Sequence, residues 1–230
     1  MRIAVLNLCR PDAGLEHFGT ISSMIIKWLT PHLPEAELSE IHIATGASLP
    51  KFDDFDGYIL SGSEKGVYDE AAWMESLRAM LLQLKDANIP VFGICFGHQL
   101  MADTYGGKAE KSDKGFVVGP REFGEGDTSY AARVMHQDQV TAAPPNATVT
   151  ASASYCPVAA LEYDFPARSV QFHPEYPHNF IAEATELFDG NIMTAQEATD
   201  SRESLAKYSV ADGLYAAETA AFFRQQIQTN

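Results

Sequence analysis

The sequence predicts an α/β fold: a mostly parallel sheet with helices on both faces, extended by antiparallel strands. In the first half of the chain, short apolar runs alternate with segments of helical periodicity. Strands and helices alternate in this way in right-handed βαβ units, which build parallel sheets. After Gly107, short strand-like runs follow one another with turns between them, a pattern that indicates hairpins or other antiparallel strands.

Helical periodicity and buried apolar runs define the elements of the first half. Apolar side chains recur at Ile21, Met24, Ile25 and Trp28, so that one face of a helix is buried. The same period recurs from Trp73 to Leu84. In chain order, the sequence predicts a strand over 3–8, a helix over 21–28, strands over 38–44 and 57–60, a helix over 73–84, a strand over 89–94 and a helix over 96–105.

The second half combines short strands with a helical C-terminal segment. The strand-like runs lie at 116–118, 131–135, 148–150, 158–162 and 169–172. From Pro177 onward the chain is again helical in pattern, with a polar stretch near 195–203. No internal repeat or linker divides the sequence, so it predicts a single domain over residues 1–230.

Composition excludes several classes of function. Sixteen basic residues against 31 acidic residues give a net charge of −15, which argues against nucleic acid or an anionic membrane as a partner. Three cysteines, an odd number, predict free thiols in a reducing compartment. There is no pattern of a signal peptide and no apolar run of membrane-spanning length. We therefore expect a cytoplasmic protein.

A nucleophile elbow is predicted where the strand over 89–94 meets the next helix. Gly93-Ile94-Cys95-Phe96-Gly97 has the pattern Gly-x-Cys-x-Gly, the cysteine form of this motif. The sharp turn strains the central residue, and its neighbours at two positions on either side must be small. Cys95 would lie at the carboxyl end of the sheet, where open α/β folds bind ligands. The pattern therefore predicts a nucleophilic thiol.

A general base for that thiol is predicted at the end of another strand. His173-Pro174-Glu175 follows the strand-like run that ends at Phe172. Residues two apart on an extended chain point to the same side, so Glu175 could hold one ring nitrogen of His173 while the other faces Cys95. By itself the tripeptide is also compatible with a surface loop; together with the elbow it indicates a triad.

These two segments carry a family resemblance. Gly93 to Gln99 and Phe172 to Glu175 are similar to the two signatures of the class I glutamine amidotransferases, whose fold is flavodoxin-like. Within them the chain resembles the free-standing group that is similar to the glutaminase domain of GMP synthase. Looser similarity extends over Leu60-Ser61-Gly62-Ser63 and His136-Gln137-Asp138.

The resemblance implies roles for particular residues. Cys95 would be the nucleophile, His173 the general base and then acid, and Glu175 the carboxylate that orients the histidine. Backbone N–H groups of Phe96 and of Gly62 or Ser63 would stabilise the oxyanion, although Ser63 and Glu64 stand where the family commonly has Gly-Pro. Gln99, Met135 and Gln137 match positions that contact the substrate glutamine.

The remaining nucleophilic and imidazole side chains are interpreted as structural. His98 lies beside the elbow and His136 in a strand, while Cys9 ends the first strand without an accompanying base. The sequence predicts no metal site and no cofactor, because the triad explains the one dense cluster of ligand-type residues.

Three functional hypotheses remain open. In the first, the chain hydrolyses glutamine to glutamate and supplies ammonia to a separate synthetase subunit, whose docking sets the Gly62 loop. In the second, it hydrolyses γ-glutamyl amides or peptides independently. In the third, it is a non-catalytic binding relative, against which the intact Cys95, His173 and Glu175 argue. No G-x-x-x-x-G-K-[ST] phosphate loop is present, so we expect the synthetase chemistry to need another protein.

Overall fold

The computed structural model describes residues 1–10, 13–125, 128–211 and 213–228. The strands are β1 Arg2–Asn7, β2 Glu37–His42, β3 Gly57–Leu60, β4 Val91–Ile94, β5 Lys108–Lys111, β6 Val117–Glu125, β7 Thr128–His136, β8 Asp138–Ala142, β9 Ala147–Ala153, β10 Cys156–Tyr163 and β11 Ala167–Val170. The helices are α1 Ile21–Leu29, α2 Met74–Asp86, α3 Phe96–Thr104, α4 His178–Phe188, α5 Ala195–Lys207 and α6 Leu214–Gln228.

One large sheet organises the described residues. Its strand order is β2-β1-β3-β4-β11-β10-β9-β6-β7. The strands from β2 to β11 pair in parallel, and those from β11 to β7 pair antiparallel. Strands β5 and β8 form a separate antiparallel pair. The predicted α/β fold with antiparallel additions is confirmed.

Helices cover both faces of the sheet because alternate strand residues point to opposite sides. Ile3 and Val5 of β1 belong to a core with apolar residues of α1, α4 and α6, whereas Ala4 and Leu6 belong to a second core with residues of α2 and α3. A sheet buried on both faces explains why the predicted strands are apolar runs rather than alternating patterns. Both cores hold the carboxyl end of the parallel strands in place.

Several predicted boundaries are wrong. The second strand ends at His42, two residues early, because a 3-10 turn occupies Ile43–Thr45. The strand expected over 169–172 lies over Ala167–Val170 instead. Val170 pairs with Ile94, which is the last residue of β4. Residues 171 and 172 therefore have no strand residue of β4 to pair with.

The antiparallel half is more regular than the sequence predicts. The runs at 116–118 and 131–135 extend into the long hairpin of β6 and β7, and β5 and β8 were not predicted. The polar stretch near 195–203 is the helix α5, which begins with a capping box between Thr194 and Glu197.

Among the described helices, none is both long enough and apolar enough to cross a membrane.

Candidate active site

Cys95 occupies a strained turn between β4 and α3. Its φ is +52° and its ψ is −102°, a conformation that costs a residue other than glycine about 1–3 kcal/mol. The Cys95 N–H donates to the carbonyl of Val170 at 2.8 Å, which fastens the turn to β11. The elbow predicted from Gly-x-Cys-x-Gly is therefore present.

The two flanking glycines are required by close packing. A Cβ at Gly93 would lie 2.5 Å from Sδ of Met101 and 2.8 Å from the backbone of Gly97. A Cβ at Gly97 would lie 2.7 Å from the carbonyl oxygen of Leu60. Real Cβ atoms do not approach backbone this closely, so both positions need glycine for the helix to pass so near the strands.

His173 and Glu175 lie together beyond the end of β11. His173 Nδ1 is 2.7 Å from Oε1 of Glu175, and both side chains are buried. The backbone N–H of His173 donates to the carbonyl of Arg133 at 2.7 Å. The imidazole also stacks on Tyr176, with ring centroids 4.0 Å apart and planes inclined by 6°. The ring is thus fixed by its backbone, by the carboxylate and by a stacking partner.

The charges around His173 favour its protonated form. Burial disfavours the imidazolium, but the negative charges of Glu175 and Cys95 and hydrogen bonds to both outweigh it and raise the pKa of His173 to about 10. The structure thus places the imidazole between the thiol and the carboxylate. This arrangement can hold a thiolate–imidazolium pair and can exchange one proton with a substrate.

The sulfur of Cys95 has a further polar neighbour that the sequence reasoning missed. Nε2 of Gln171 donates to Sγ of Cys95 at 3.6 Å, and Gln171 is fully buried. The thiol lies 3.9 Å from the carbonyl of Met135. Gln171 precedes His173 by two residues, so the same-side argument that paired His173 with Glu175 could also have identified it.

The side chain of Gln99 is hydrogen-bonded to Gln171 and also lines the cavity beside Cys95. Its Nε2 donates to the carbonyl of Asp138 at 2.8 Å and to Oε1 of Gln171 at 3.1 Å. The amide nitrogen expected to contact the substrate is therefore engaged with the protein. Through Gln171, Gln99 supports the position of the sulfur.

The loop after β3 is held against the elbow. Ser61 Oγ accepts the N–H of Leu8 at 2.9 Å and donates to the carbonyl of Gly62 at 2.8 Å. The carbonyl of Ser61 accepts the N–H of Gly97 at 3.2 Å. A Cβ built on Gly62 would lie 3.0 Å from Cε1 of His173. The loop that sequence reasoning assigns to a docking partner is thus tied to β1 and α3 within this chain.

Phe96 and Gly62, whose backbone N–H groups are expected to stabilise the oxyanion, are both neighbours of Cys95. Phe96 is the first residue of α3, so its N–H has no acceptor within the helix. Gly62 lies on the other side, 3.8 Å from Cβ of Cys95 when measured from its built Cβ. The side chain of Phe96 is buried against Trp73, leaving the backbone as its contribution to the site.

A cavity of about 560 Å³ opens next to the thiol. The predicted residues Ser63, Gln99, Met135 and Gln137 line it together with Cys95 and His173. The rest of its wall consists of Cys9, Glu64, Lys65, Gly66, Tyr68, Asp69, Lys111, Phe116, His136, Asp138, Tyr176, Phe188 and Ile192. Pockets that hold drug-sized ligands have roughly 300–1,000 Å³, so this cavity has the volume of a small-molecule site.

The other histidines near the site are neutral. Burial lowers the pKa of His98 to about 4 and that of His136 to about 3. His98 is hydrogen-bonded to Ser169 and to the carbonyl of Val158. Both side chains are held in the protein interior, which favours the structural interpretation.

The other cysteines differ in their surroundings. Cys9 is partly exposed and lines the cavity, and its thiol donates to the carbonyl of Arg10 at 3.2 Å. Burial raises the pKa of the Cys156 thiol to about 12. None of these three cysteines, all of them among the described residues, forms a disulfide. Within the described ranges, no group of three or more His, Cys, Asp and Glu side chains is arranged to hold a metal ion.

Known proteins resemble the chain in sequence and in fold. It is 29% identical over 167 residues to gamma-glutamyl peptidase 3 of Arabidopsis thaliana, covering 66% of this chain and 67% of that protein. It is 35% identical over 162 residues to a GMP synthase [glutamine-hydrolyzing] of Desulfotalea psychrophila, covering 62% of this chain but 29% of that protein. A glutamine amido transferase from Methylobacillus flagellatus has the same fold, with a TM-score of 0.73, 18% identity and coverage of 97% and 94%.

The family model for glutamine amidotransferase class-I matches residues 25–189. This range includes the elbow at Cys95 and the His173-Pro174-Glu175 segment, and it covers more than half of the sequence. The chain therefore belongs to the class-I glutamine amidotransferase family.

Proposed function

We propose that this protein is a cysteine hydrolase that cleaves γ-glutamyl amide bonds whose amine is larger than ammonia. Attack of the Cys95 thiolate on the γ-carbonyl carbon forms a tetrahedral oxyanion beside the N–H groups of Phe96 and Gly62. The His173 imidazolium gives its proton to the leaving nitrogen as the C–N bond breaks. A γ-glutamyl thioester and a free amine result.

Hydrolysis of the thioester completes the cycle. The neutral imidazole of His173 takes a proton from a water molecule, whose oxygen attacks the thioester carbonyl. Glutamate leaves as the C–S bond breaks, and the thiolate and imidazolium are restored. Glu175, 2.7 Å from Nδ1, orients the ring in both steps. The sum is amide plus water giving glutamate plus amine.

One observation carries the choice of substrate size. The cavity of about 560 Å³ continues from Cys95 to the exposed side chain of Ile192, leaving space beyond a glutamyl group. The Gly62 loop is hydrogen-bonded through Ser61 to other residues of this chain, which supports a site that is assembled without a partner. The match to a gamma-glutamyl peptidase over 67% of its length supports the same reading.

A second candidate is the hydrolysis of glutamine with delivery of ammonia to a separate synthetase. The 35% identity to part of a GMP synthase favours it. The same triad chemistry applies, with ammonia as the leaving group. It differs in predicting that glutamine turnover needs a docked partner.

A substrate panel distinguishes the two candidates. We expect the purified protein to hydrolyse γ-glutamyl dipeptides faster than glutamine, with no stimulation by cell extract, as measured by glutamate release. Negligible dipeptide turnover together with strong stimulation of glutaminase activity by extract would contradict the first candidate and support the second.

The Gly62 loop provides a test of the packing around the imidazole. We expect Gly62→Ala to lower kcat/KM at least tenfold with the fold retained, because its Cβ would press on Cε1 of His173 at 3.0 Å. The imidazole cannot move away freely because it is stacked on Tyr176. Small displacements of reacting groups reduce rates by large factors. Gly124→Ala, where the nearest atom to the new Cβ is 3.9 Å away, is the matched control. Equal activity of both variants would contradict a role for the packing of Gly62 against His173.

The alkaline limb of the pH profile tests the charge on His173. Because the pKa of His173 is raised to about 10, its imidazole stays protonated at neutral pH and loses the proton only as the pH approaches that value. We therefore expect the alkaline fall in kcat/KM to lie well above neutral pH. In Glu175→Gln the charge that raises this pKa is removed while burial still lowers it, so the limb should move to lower pH. An unmoved limb in kcat/KM measurements would show that another group titrates.

A further inference from the structure

The cavity beside Cys95 has an apolar wall that the proposed chemistry does not use. This apolar wall consists of the side chains of Phe116, Tyr176, Phe188 and Ile192. Charged side chains line other parts of the same cavity: Glu64, Lys65, Asp69, Lys111 and Asp138. Polar groups suit the charged amino-acid end of a γ-glutamyl substrate, whereas the apolar wall needs another occupant.

The wall begins at the group that receives the leaving amine. Tyr176 stacks directly on His173, and it is buried except where it lines the cavity. The leaving nitrogen must lie within hydrogen-bond reach of the His173 imidazolium to take its proton. A substituent on that nitrogen therefore starts beside Tyr176, at one end of the apolar wall.

The far end of the wall is an exposed aliphatic side chain. Ile192 is 56% exposed although it lines the cavity. A single exposed apolar residue is ordinary on a protein surface. Here Ile192 lines the same cavity as the buried rings of Phe188 and Tyr176, so apolar side chains line this cavity both beside the imidazole and at the surface.

Ile192 is held in a fixed position by the turn after α4. The N–H groups of Ile192 and Met193 donate to the carbonyl of Phe188 at 3.1 and 2.9 Å, and that of Gly190 donates to the carbonyl of Met193 at 3.0 Å. Gly190 has a φ of +72°, which glycine adopts without strain. The turn is therefore specified by its own hydrogen bonds.

An ion-pair network fastens the same turn to the next helix. Arg202 of α5 contacts Glu186 at 2.7 and 2.9 Å and Asp189 at 2.7 Å. On the other side, Glu197 of α5 accepts the N–H of Phe116 at 2.7 Å. Helix α5 thus holds two parts of the apolar wall, Phe116 and the turn that carries Ile192. A rigid apolar surface loses little entropy when a ligand covers it.

We propose that the apolar wall is a subsite for the leaving amine and selects γ-glutamyl amides of bulky apolar amines, such as γ-glutamyl peptides whose second residue is aromatic. This inference rests on the proposed function and names its substrate class. Covering Ile192, Phe188 and Phe116 removes apolar surface from water, which stabilises the complex. A glycine in the second position has no side chain to cover this surface, which would stay exposed to water.

The test compares γ-glutamyl-phenylalanine with γ-glutamyl-glycine, which share the same carboxylate and differ in the ring. We expect kcat/KM to be at least tenfold higher for the phenylalanine peptide, and Ile192→Ser to lower that ratio several-fold. The matched control is Leu187→Ser, an exposed α4 residue that lies outside the residues lining the cavity; it should leave the ratio unchanged. A ratio near one that Ile192→Ser does not alter would overturn the proposal.

A binding measurement separates this proposal from the proposed function. In Cys95→Ala, calorimetry should show γ-glutamyl-phenylalanine binding about tenfold more tightly than γ-glutamyl-glycine, and adding Ile192→Ser should reduce this difference several-fold. If neither peptide is hydrolysed by the native protein but this difference in affinity appears, the chemistry assigned to the site fails and the subsite stands. Equal affinities of the two peptides would overturn the subsite even if both are hydrolysed.

Discussion

Replacing Cys95 by alanine is expected to lower hydrolysis by about 10⁴-fold or more, because the covalent nucleophile is lost and only binding and oxyanion stabilisation remain. The fold should be retained, since alanine removes only the sulfur and the strained elbow is held by Gly93 and Gly97. Glutamate release under saturating substrate measures the activity, and circular dichroism checks the fold.

The other cysteines provide the controls for this experiment. Cys9 lines the same cavity, so Cys9→Ala tests whether proximity to the substrate is enough for a role; we expect it to remain active. A diazo-ketone analogue of glutamine should label Cys95 and leave Cys9 and Cys156 unmodified in a peptide map. Labelling of either of them with full activity of Cys95→Ala would remove the nucleophile assignment.

Replacing His173 by alanine is expected to reduce activity nearly as much as the loss of Cys95, whereas Glu175→Gln should be less damaging by about 10²-fold. The imidazole transfers the protons, while the carboxylate orients the ring and supports its charge. Both kcat and kcat/KM should be measured, since the loss should appear in the chemical step. Equal losses in the two variants would mean that orientation is too small a role for Glu175.

A second variant guards against a loss of folding. Glu175 is buried, and alanine at 173 would leave its carboxylate without its hydrogen bond, a change that can cost about 3–5 kcal/mol of stability. His173→Asn keeps a side-chain amide that can donate to the carboxylate but cannot exchange protons. We expect it to be folded and inactive; an active His173→Asn would require another base.

The elbow was predictable because its determinants are local. Two glycines flank Cys95, and the structure shows that a Cβ at either position would collide with helix or strand backbone. At Gly93 the neighbours are close in sequence, Gly97 and Met101, whereas at Gly97 the neighbour is Leu60 of β3. The pattern Gly-x-Cys-x-Gly predicts the turn because both contacts require glycine. His173 and Glu175 were predictable for the same reason, since two residues on an extended chain share a side.

Neighbours distant in sequence were less predictable. Gln171 lies 76 residues from Cys95. The i, i+2 relation puts it on the same side as His173, but the pairing of β11 with β4 is what brings this segment to the sulfur. Gln99 was expected to contact substrate, but its amide nitrogen donates to Gln171 and to Asp138. Which of several polar side chains satisfies a buried group depends on their three-dimensional positions, because each buried donor requires one acceptor in reach.

The amino-acid sequence by itself predicted the fold class, the strained turn at Cys95 and the pairing of His173 with Glu175, because periodicity, glycine spacing and i, i+2 geometry are properties of contiguous residues. The tertiary structure alone decided the shape of the cavity. Its apolar wall joins Phe116, Tyr176, Phe188 and Ile192 from separate parts of the chain. Arg202 and Glu197 of α5 hold the turn before Ile192 and Phe116 in place. Such a surface arises where side chains of separate elements meet. The spacing of residues along the chain does not record which elements meet.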